Sequence, residues 1–316
     1  MPASPAAAEA RADLAGTYFD RLGECFERAT ATAGAGAMDL EMAGLPLRLR
    51  FAGEGLREKL LAPFEHLAAP APAADPELTI SLFDTASSGI EPPAPLWDPI
   101  EAAPGTNPAV RLRSERACVL AAAGSRALTA AAPAAGTAVF HLPDAAAIPA
   151  NERAAPIREA LQLLMAARGR LMTHAGAVGR DGRGVLLVGR GGSGKSTLTL
   201  SCALAGMEIV ADDYVLLEPE SRAAHAMQST AKLTEDSAER LGIPAEVVDP
   251  AGFEPTLEGP AKALVDIRAL APGALKRQLE VRAILAPTLR PSEPAYIAGS
   301  DGLGEHGPAV RAISAA

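Results

Sequence analysis

A chain of 316 residues, 48% hydrophobic and 21% charged, can bury one large core or two moderate ones, and two domains are expected. Aromatic residues make up only 3%, so the core must be built from Leu, Val, Ile and Ala, with no platform for stacking bases. A net charge of -9 argues against nucleic acid and against anionic membranes as partners, because both are gripped by clustered Lys and Arg.

The three cysteines, Cys25, Cys118 and Cys202, are far apart and show no CxxC spacing, which fits a reduced, cytoplasmic compartment. The first residues lack the basic start and apolar run of a secretory leader. The longest apolar region, residues 118–140, is broken by Arg126 and Pro133 and is unsuited to crossing a bilayer. A soluble protein is expected.

Taken in chain order, Leu14, Tyr18, Leu22, Cys25 and Phe26 recur at helical spacing and predict a helix over residues 12–29. Residues 42–51 alternate, with Leu45, Leu47, Leu49 and Phe51 on one side, and predict a half-buried strand. A second helix is expected over 55–67 and a strand over 78–83. Residues 87–108, rich in Pro and Gly, read as a long surface connection in which Trp97 is a packing anchor; short strands follow up to about His141. Ile157, Leu161, Leu164 and Met165 predict a helix over 156–168 that opens the second domain, which places the boundary near residue 150. Two apolar runs, 171–178 and 184–188, are joined by GRDGR, where Asp181 and Gly182 suit a tight hairpin.

The second run leads into Gly189, Arg190, Gly191, Gly192, Ser193, Gly194, Lys195 and Ser196, a full match to GxxxxGKS, with Thr197 next. Glycines let the backbone adopt conformations in which several N–H groups converge on phosphate oxygens, and the helix that follows adds the positive end of its dipole. Lys195 then supplies a point charge to the β and γ phosphates, and the Ser196 hydroxyl is placed to hold Mg²⁺. The match stands out because lysine is rare here: Lys59, Lys195, Lys232, Lys262 and Lys276 are all there are. ATP with Mg²⁺ is the expected ligand.

After the loop helix, residues 208–211 form a second strand ending in Asp212 and Asp213. A right-handed crossover would lay it parallel to the first, with its carboxyl end on the edge that carries the loop. Two carboxylates would then stand where Mg²⁺ and the γ-phosphate must be. Successive strand residues face opposite sides, so the pair is expected to divide its labour unless a bulge intervenes.

The phrases THAGAV from Thr173, GRGGSGKST from Gly189 and ADDYVLL from Ala211 resemble the catalytic domain of HPr kinase/phosphorylase and of the broader set of HPr-kinase-like bacterial proteins. The likeness is clear over residues 171–217 and extends weakly to about 287. It implies an α/β fold: a P-loop kinase domain of the HPr kinase C-terminal type at 151–316, preceded by a smaller α+β domain of unknown role at 1–150. It also implies ATP-dependent phosphorylation of a Ser or Thr hydroxyl, with Asp212 as base, Asp213 near Mg²⁺ alongside Ser196, His174 close to the reacting groups, and assembly into homo-oligomers. HPr kinase proper carries a Glu after GKS and a later ExRGxG signature; here Thr197 follows Ser196 and the signature is missing, so HPr itself is not the expected substrate. QSTAKL from Gln228 and the stretch from Lys262 resemble segments of HPr-kinase-like relatives, which makes Thr230, Lys232 and Lys262 second-rank contacts for substrate or phosphate.

Glu235 and Glu239, at i and i+4 near a helix start, read as solvent-facing. His66, His141, His225 and His306 show no ligand spacing. Three functions fit these residues: a kinase acting on a protein or peptide hydroxyl, a small-molecule kinase with the same machinery, or a nucleotide-binding regulator in which the aspartates only hold Mg²⁺.

Overall fold

The computed structural model describes residues 13–97, 109–122, 124–256 and 259–287. Its contacts divide the chain into two units, Met1–Gly169 and Arg170–Ala316. Both are mixed α/β, each built on a seven-stranded sheet. No helix among the described residues is long and apolar enough to cross a membrane.

In the first unit, α1 (Leu14–Ala33) starts where the Asp13 carboxylate accepts the N–H of Gly16 at 2.8 Å, satisfying one of the donors a helix start leaves open. Tyr18, Leu22, Cys25, Phe26 and Ala29 form its buried stripe and pack on Phe83, Val119, Ala130 and Val139 of the sheet. The helix runs four residues beyond the predicted end and stops at Gly34.

The strand predicted over 42–51 is the second arm of a hairpin, β1 (Ala35–Met42) and β2 (Leu45–Ala52), joined by Ala43 and Gly44 at φ 52° and 76°. Both turn residues are left-handed, as the twist of a two-residue hairpin requires. The stretch predicted as one helix over 55–67 changes pitch, from α at Glu54–Leu56 through π at Arg57–Leu61 to 3-10 at Ala62–Leu67. Pro63 has no N–H to donate back along an α pattern, which explains the tightened last stretch.

The remaining strands are β3 (Leu78–Asp84), β4 (Ala109–Arg113), β5 (Cys118–Ala121), β6 (Leu128–Ala132) and β7 (Thr137–Leu142), in the order β1-β2-β3-β7-β6-β5-β4. Pairs β2–β3 and β3–β7 are parallel and the rest antiparallel. Of the predicted connection, 98–108 lies outside the described residues, while Trp97 packs on Tyr18 with ring centroids 5.1 Å apart.

The helix expected to open the second domain, α2 (Arg158–Ala166), belongs to the first: Ala160, Leu161, Leu164 and Met165 are buried and the helix lies on β6 and β7. The division therefore falls after Gly169 rather than near 150, and the first unit is the longer of the two, not the smaller.

The second unit begins with β8 (Leu171–His174), β9 (Gly176–Arg180) and β10 (Arg183–Leu187), the last two joined at Asp181–Gly182 with φ 51° and 72°. Next come α3 (Lys195–Leu204), β11 (Glu208–Ala211), β12 (Tyr214–Glu218), β13 (Ala223–His225), β14 (Thr230–Thr234), α4 (Glu235–Leu241), β15 (Lys262–Asp266) and β16 (Gln278–Leu285). The sheet order is β11-β9-β10-β16-β13-β12-β8, and β14 and β15 form a separate ribbon. Strand β9 lies between β10 and β11, antiparallel to both, so β10 and β11 run the same way without being neighbours. Their carboxyl ends reach one edge, as expected. Val178, Leu187, Leu200, Ile209, Leu233 and Val265 form the core beneath that edge.

Candidate active site

The Gly189–Ser196 loop joins the end of β10 to the start of α3. Gly192 and Gly194 hold φ at 78° and 90°, a region that costs any other L-residue about 1 kcal/mol or more. Gly194 is also the N-cap of α3, and since it brings no side chain, the first N–H groups of the helix have no side-chain cap there. The start of α3 carries no acidic residue. Its N-terminal end therefore presents donors and a positive dipole to the loop.

Lys195 is 7% exposed, and its ammonium donates to the carbonyls of Gly189 at 2.7 Å and Arg190 at 3.2 Å. Burial pulls its pKa below the usual lysine value; the charges of Asp213 and Asp212 work against that, and those of Lys262 and Lys232 add to it. Three of the five lysines thus converge on one place.

Asp212 and Asp213 lie between two halves of one long antiparallel pairing. On one side β11 pairs with β9, Ala211 opposite Ala177; on the other β12 pairs with β8, Tyr214 opposite His174. The register is the same across the break, so residues 171–180 and 208–218 run alongside each other, and the two ends of the strand order come together where β12 meets β9 and β11. The ladder is unmade at Ala175–Gly176 and Asp212–Asp213, and its register shifts between Ile209 and Ala211. The strand read as ending in the two aspartates stops before them, at Ala211, and a bend leads on to β12, which frees both side chains from strict alternation.

Asp213 is held from both sides: His174 Nε2 lies 2.9 Å from Oδ1 and Lys232 Nζ 2.7 Å from Oδ2. Burial would raise its pKa, but the hydrogen bond from His174 and the charge and hydrogen bond of Lys232 outweigh it and hold the carboxyl well below the usual range. Asp212 is 2% exposed. Its Oδ2 accepts the backbone N–H of Lys232 at 3.1 Å, and the Ser196 hydroxyl bonds its carboxyl. Oδ1 is buried with no hydrogen-bond partner among the described residues. Burial, and then the charge of Asp213, push the pKa of Asp212 up to about 6. Adjacent in sequence, the two carboxyls are driven in opposite directions by their surroundings.

Of the residues singled out in the sequence, His174, Asp212, Asp213, Lys195, Ser196 and Lys232 form one connected group. Lys262 pairs opposite Thr234, two residues along the ribbon from Lys232, and is near enough to bear on Lys195. Thr230 stands at the other end of β14, opposite Asp266. The Thr197 hydroxyl meets Ser237 Oγ at 3.0 Å, tying α3 to α4, whereas Arg190, Gly191 and Gly192 are exposed. Glu235 and Glu239 face solvent.

Sequence reasoning passed over Gly176. A Cβ there would run into Thr199 Oγ1, so glycine is what lets α3 close on β9. Its place two residues after His174 in THAGAV was the available signal.

Among the described residues no group of three or more His, Cys, Asp and Glu is arranged to hold a metal. The fit for Mg²⁺ is of another kind. Mg²⁺ takes one or two carboxylates with phosphate and water, and here a hydroxyl bonds a buried carboxyl that has one oxygen free.

Among solved structures the chain is similar to one described as the Hpr(Ser) kinase/phosphatase from Coxiella burnetii, at 20% identity, with 40% of this chain and 76% of that chain covered and a TM-score of 0.24. No family model matches, and no curated protein does. The resemblance noted in the sequence remains distant at that level, and the functional argument rests on this chain's own residues.

Proposed function

We propose that the second unit binds ATP with Mg²⁺ on the Gly189–Ser196 loop and transfers the terminal phosphoryl group to a Ser or Thr hydroxyl of a protein or peptide. The observation that carries this reading is the convergence of a buried lysine, an uncapped helix start and two oppositely tuned carboxyls on one sheet edge. Phosphoryl transfer asks a protein for little else than positioning and charge.

In this reading the loop amides and Lys195 hold the β and γ phosphates. Ser196 with the oxygen of Asp212 nearest it would hold Mg²⁺, and the ion would offset phosphate charge. Asp213, the metal's carboxylate in the sequence expectation, has its Oδ1 engaged by His174 and its Oδ2 ion-paired with Lys232, and in this reading it serves as their counter-charge. Asp212 accepts the proton of the incoming hydroxyl at Oδ1, the buried oxygen with no partner; a pKa raised toward neutrality suits a general base. Asp213 is the fixed anion that orients His174 and Lys232 toward the transferred group.

Incubating the protein with γ-labelled ATP, Mg²⁺ and a cell extract tests this. Label on a polypeptide is expected. Label on a metabolite instead makes the chain a small-molecule kinase, and tight binding without turnover makes it a nucleotide-dependent regulator.

A further inference from the structure

The first unit contains a cavity of about 410 Å³, within the size range of small-ligand sites, that nothing above uses. Arg111, Arg126, His141, Thr85, Trp97 and Glu91 stand on its wall. Neither guanidinium has an ion-pair partner among the described residues, and Arg111 Nε is buried without a hydrogen-bond acceptor. A buried guanidinium N–H left unmatched is costly, and a ligand oxygen is what would match it.

His141 is 3% exposed and supplies a second unmatched atom. The Thr85 hydroxyl donates to the Ile90 carbonyl at 3.1 Å, so it must accept the Nε2–H of His141 at 2.9 Å. That leaves Nδ1 a bare acceptor, buried and unpartnered. Burial, with the nearby charge of Arg126, pushes the pKa of His141 down to about 4, so the ring stays neutral and keeps this lone pair at neutral pH. Arg126 itself sits at φ 56° in the turn between β5 and β6, a conformation a long side chain adopts only against strain. Among the described residues of the wall, two arginines against Glu91, with His141 neutral, leave one positive charge, which suits a monoanion better than a phosphate dianion.

We infer that this cavity binds a small organic carboxylate whose anionic end is taken by Arg111 and Arg126, whose hydroxyl or N–H donates to His141 Nδ1, and whose apolar body lies against Trp97. The fork of a guanidinium matches a carboxylate, and an indole face beside prolines accepts an aliphatic or aromatic body.

Trp97 is the only tryptophan in the chain, so its fluorescence reports on this cavity alone. The full chain is titrated with phenyllactate as probe, beside phenylpropionate, which lacks the hydroxyl, phenyl phosphate, and the alcohol in which the carboxylate is replaced by CH₂OH. A saturable change is expected with phenyllactate, weaker with phenylpropionate and absent with the alcohol. Arg126→Gly should weaken phenyllactate about tenfold or more without lowering thermal stability, since glycine suits that φ. Lys195→Ala should leave the titration unchanged, which separates this site from the nucleotide reading. No saturable change with phenyllactate, or an Arg126→Gly curve equal to the parent's, overturns the proposal; tighter binding of phenyl phosphate overturns the choice of a carboxylate.

Discussion

The ammonium of Lys232 lies 2.7 Å from Oδ2 of Asp213, while its backbone N–H bonds the neighbouring Asp212, so one residue of a separate β-ribbon sets the position of both aspartates. Removing the ammonium leaves Asp213 buried with His174 as its remaining partner. Lys232→Ala should therefore destabilise the protein by about 1–3 kcal/mol, less than a fully buried pair because the lysine is partly exposed. Urea unfolding at neutral pH checks it. Asp213 has a depressed folded pKa, so this contribution is present above its unfolded value and fades as pH falls toward the folded one. An unchanged midpoint at neutral pH would show that the contact contributes nothing.

Asp212 has the opposite sign. Its folded pKa is raised from 3.8 to about 6, so the stability linked to its proton is complete below about pH 4 and is lost as pH rises through 6. Asp212→Asn imitates the protonated form and should be more stable than the parent at pH 7.5 by on the order of 1–2 kcal/mol, with the gap closing near pH 4. Thermal melts in chelator-treated buffer across that range measure this. A gap that does not vary with pH would contradict the burial argument.

The same substitution separates binding from chemistry. With the loop and Lys195 intact, Asp212→Asn should bind ATP in Mg²⁺-free buffer within a few-fold of the parent, and lose phosphoryl transfer by about 100-fold or more. Equal transfer by parent and variant would remove Asp212 from the role of base.

Lys195→Ala should weaken ATP binding about 30-fold or more, because it removes the ammonium that is bonded to the loop's own carbonyls. Calorimetric titration with Mg²⁺ present reads it directly.

Gly194→Ala tests the backbone rather than a side chain. At φ 90° the added methyl should cost about 1–2 kcal/mol in folding and disturb the first N–H groups of α3, so ATP affinity falls together with the melting temperature. Retained affinity with normal stability would mean that the left-handed cap is dispensable.

The loop, the Asp181–Gly182 hairpin and α1 were legible because their signals are local: glycine at fixed offsets, a turn dipeptide, a 3.6-residue stripe. Lys232 was legible through the resemblance of QSTAKL to segments of HPr-kinase-like proteins, and as one of few lysines in the chain. The allegiance of α2 was not, since its amphipathic stripe says that it packs on a sheet but not on which of two. Strand β1 was missed because AGAMDLEM alternates too weakly without the partner that pairs with it. A division of labour between Asp212 and Asp213 was expected from strand alternation, but not that one carboxyl is raised and the other lowered, because that depends on His174 and Lys232, residues of two other strands. His141 showed no ligand spacing, as its cavity partners Arg111 and Arg126 come from the distant β4 edge and a turn.

Where the ladder between residues 171–180 and 208–218 is left unmade, the aspartates belong to neither half of it. The two carboxyls are then held by side-chain and ribbon contacts instead of by the ladder, through His174, Lys232 and the Lys232 N–H. Substituting either acid therefore leaves the strand pairings on both sides in place, so a loss of function there can be told apart from a loss of the sheet.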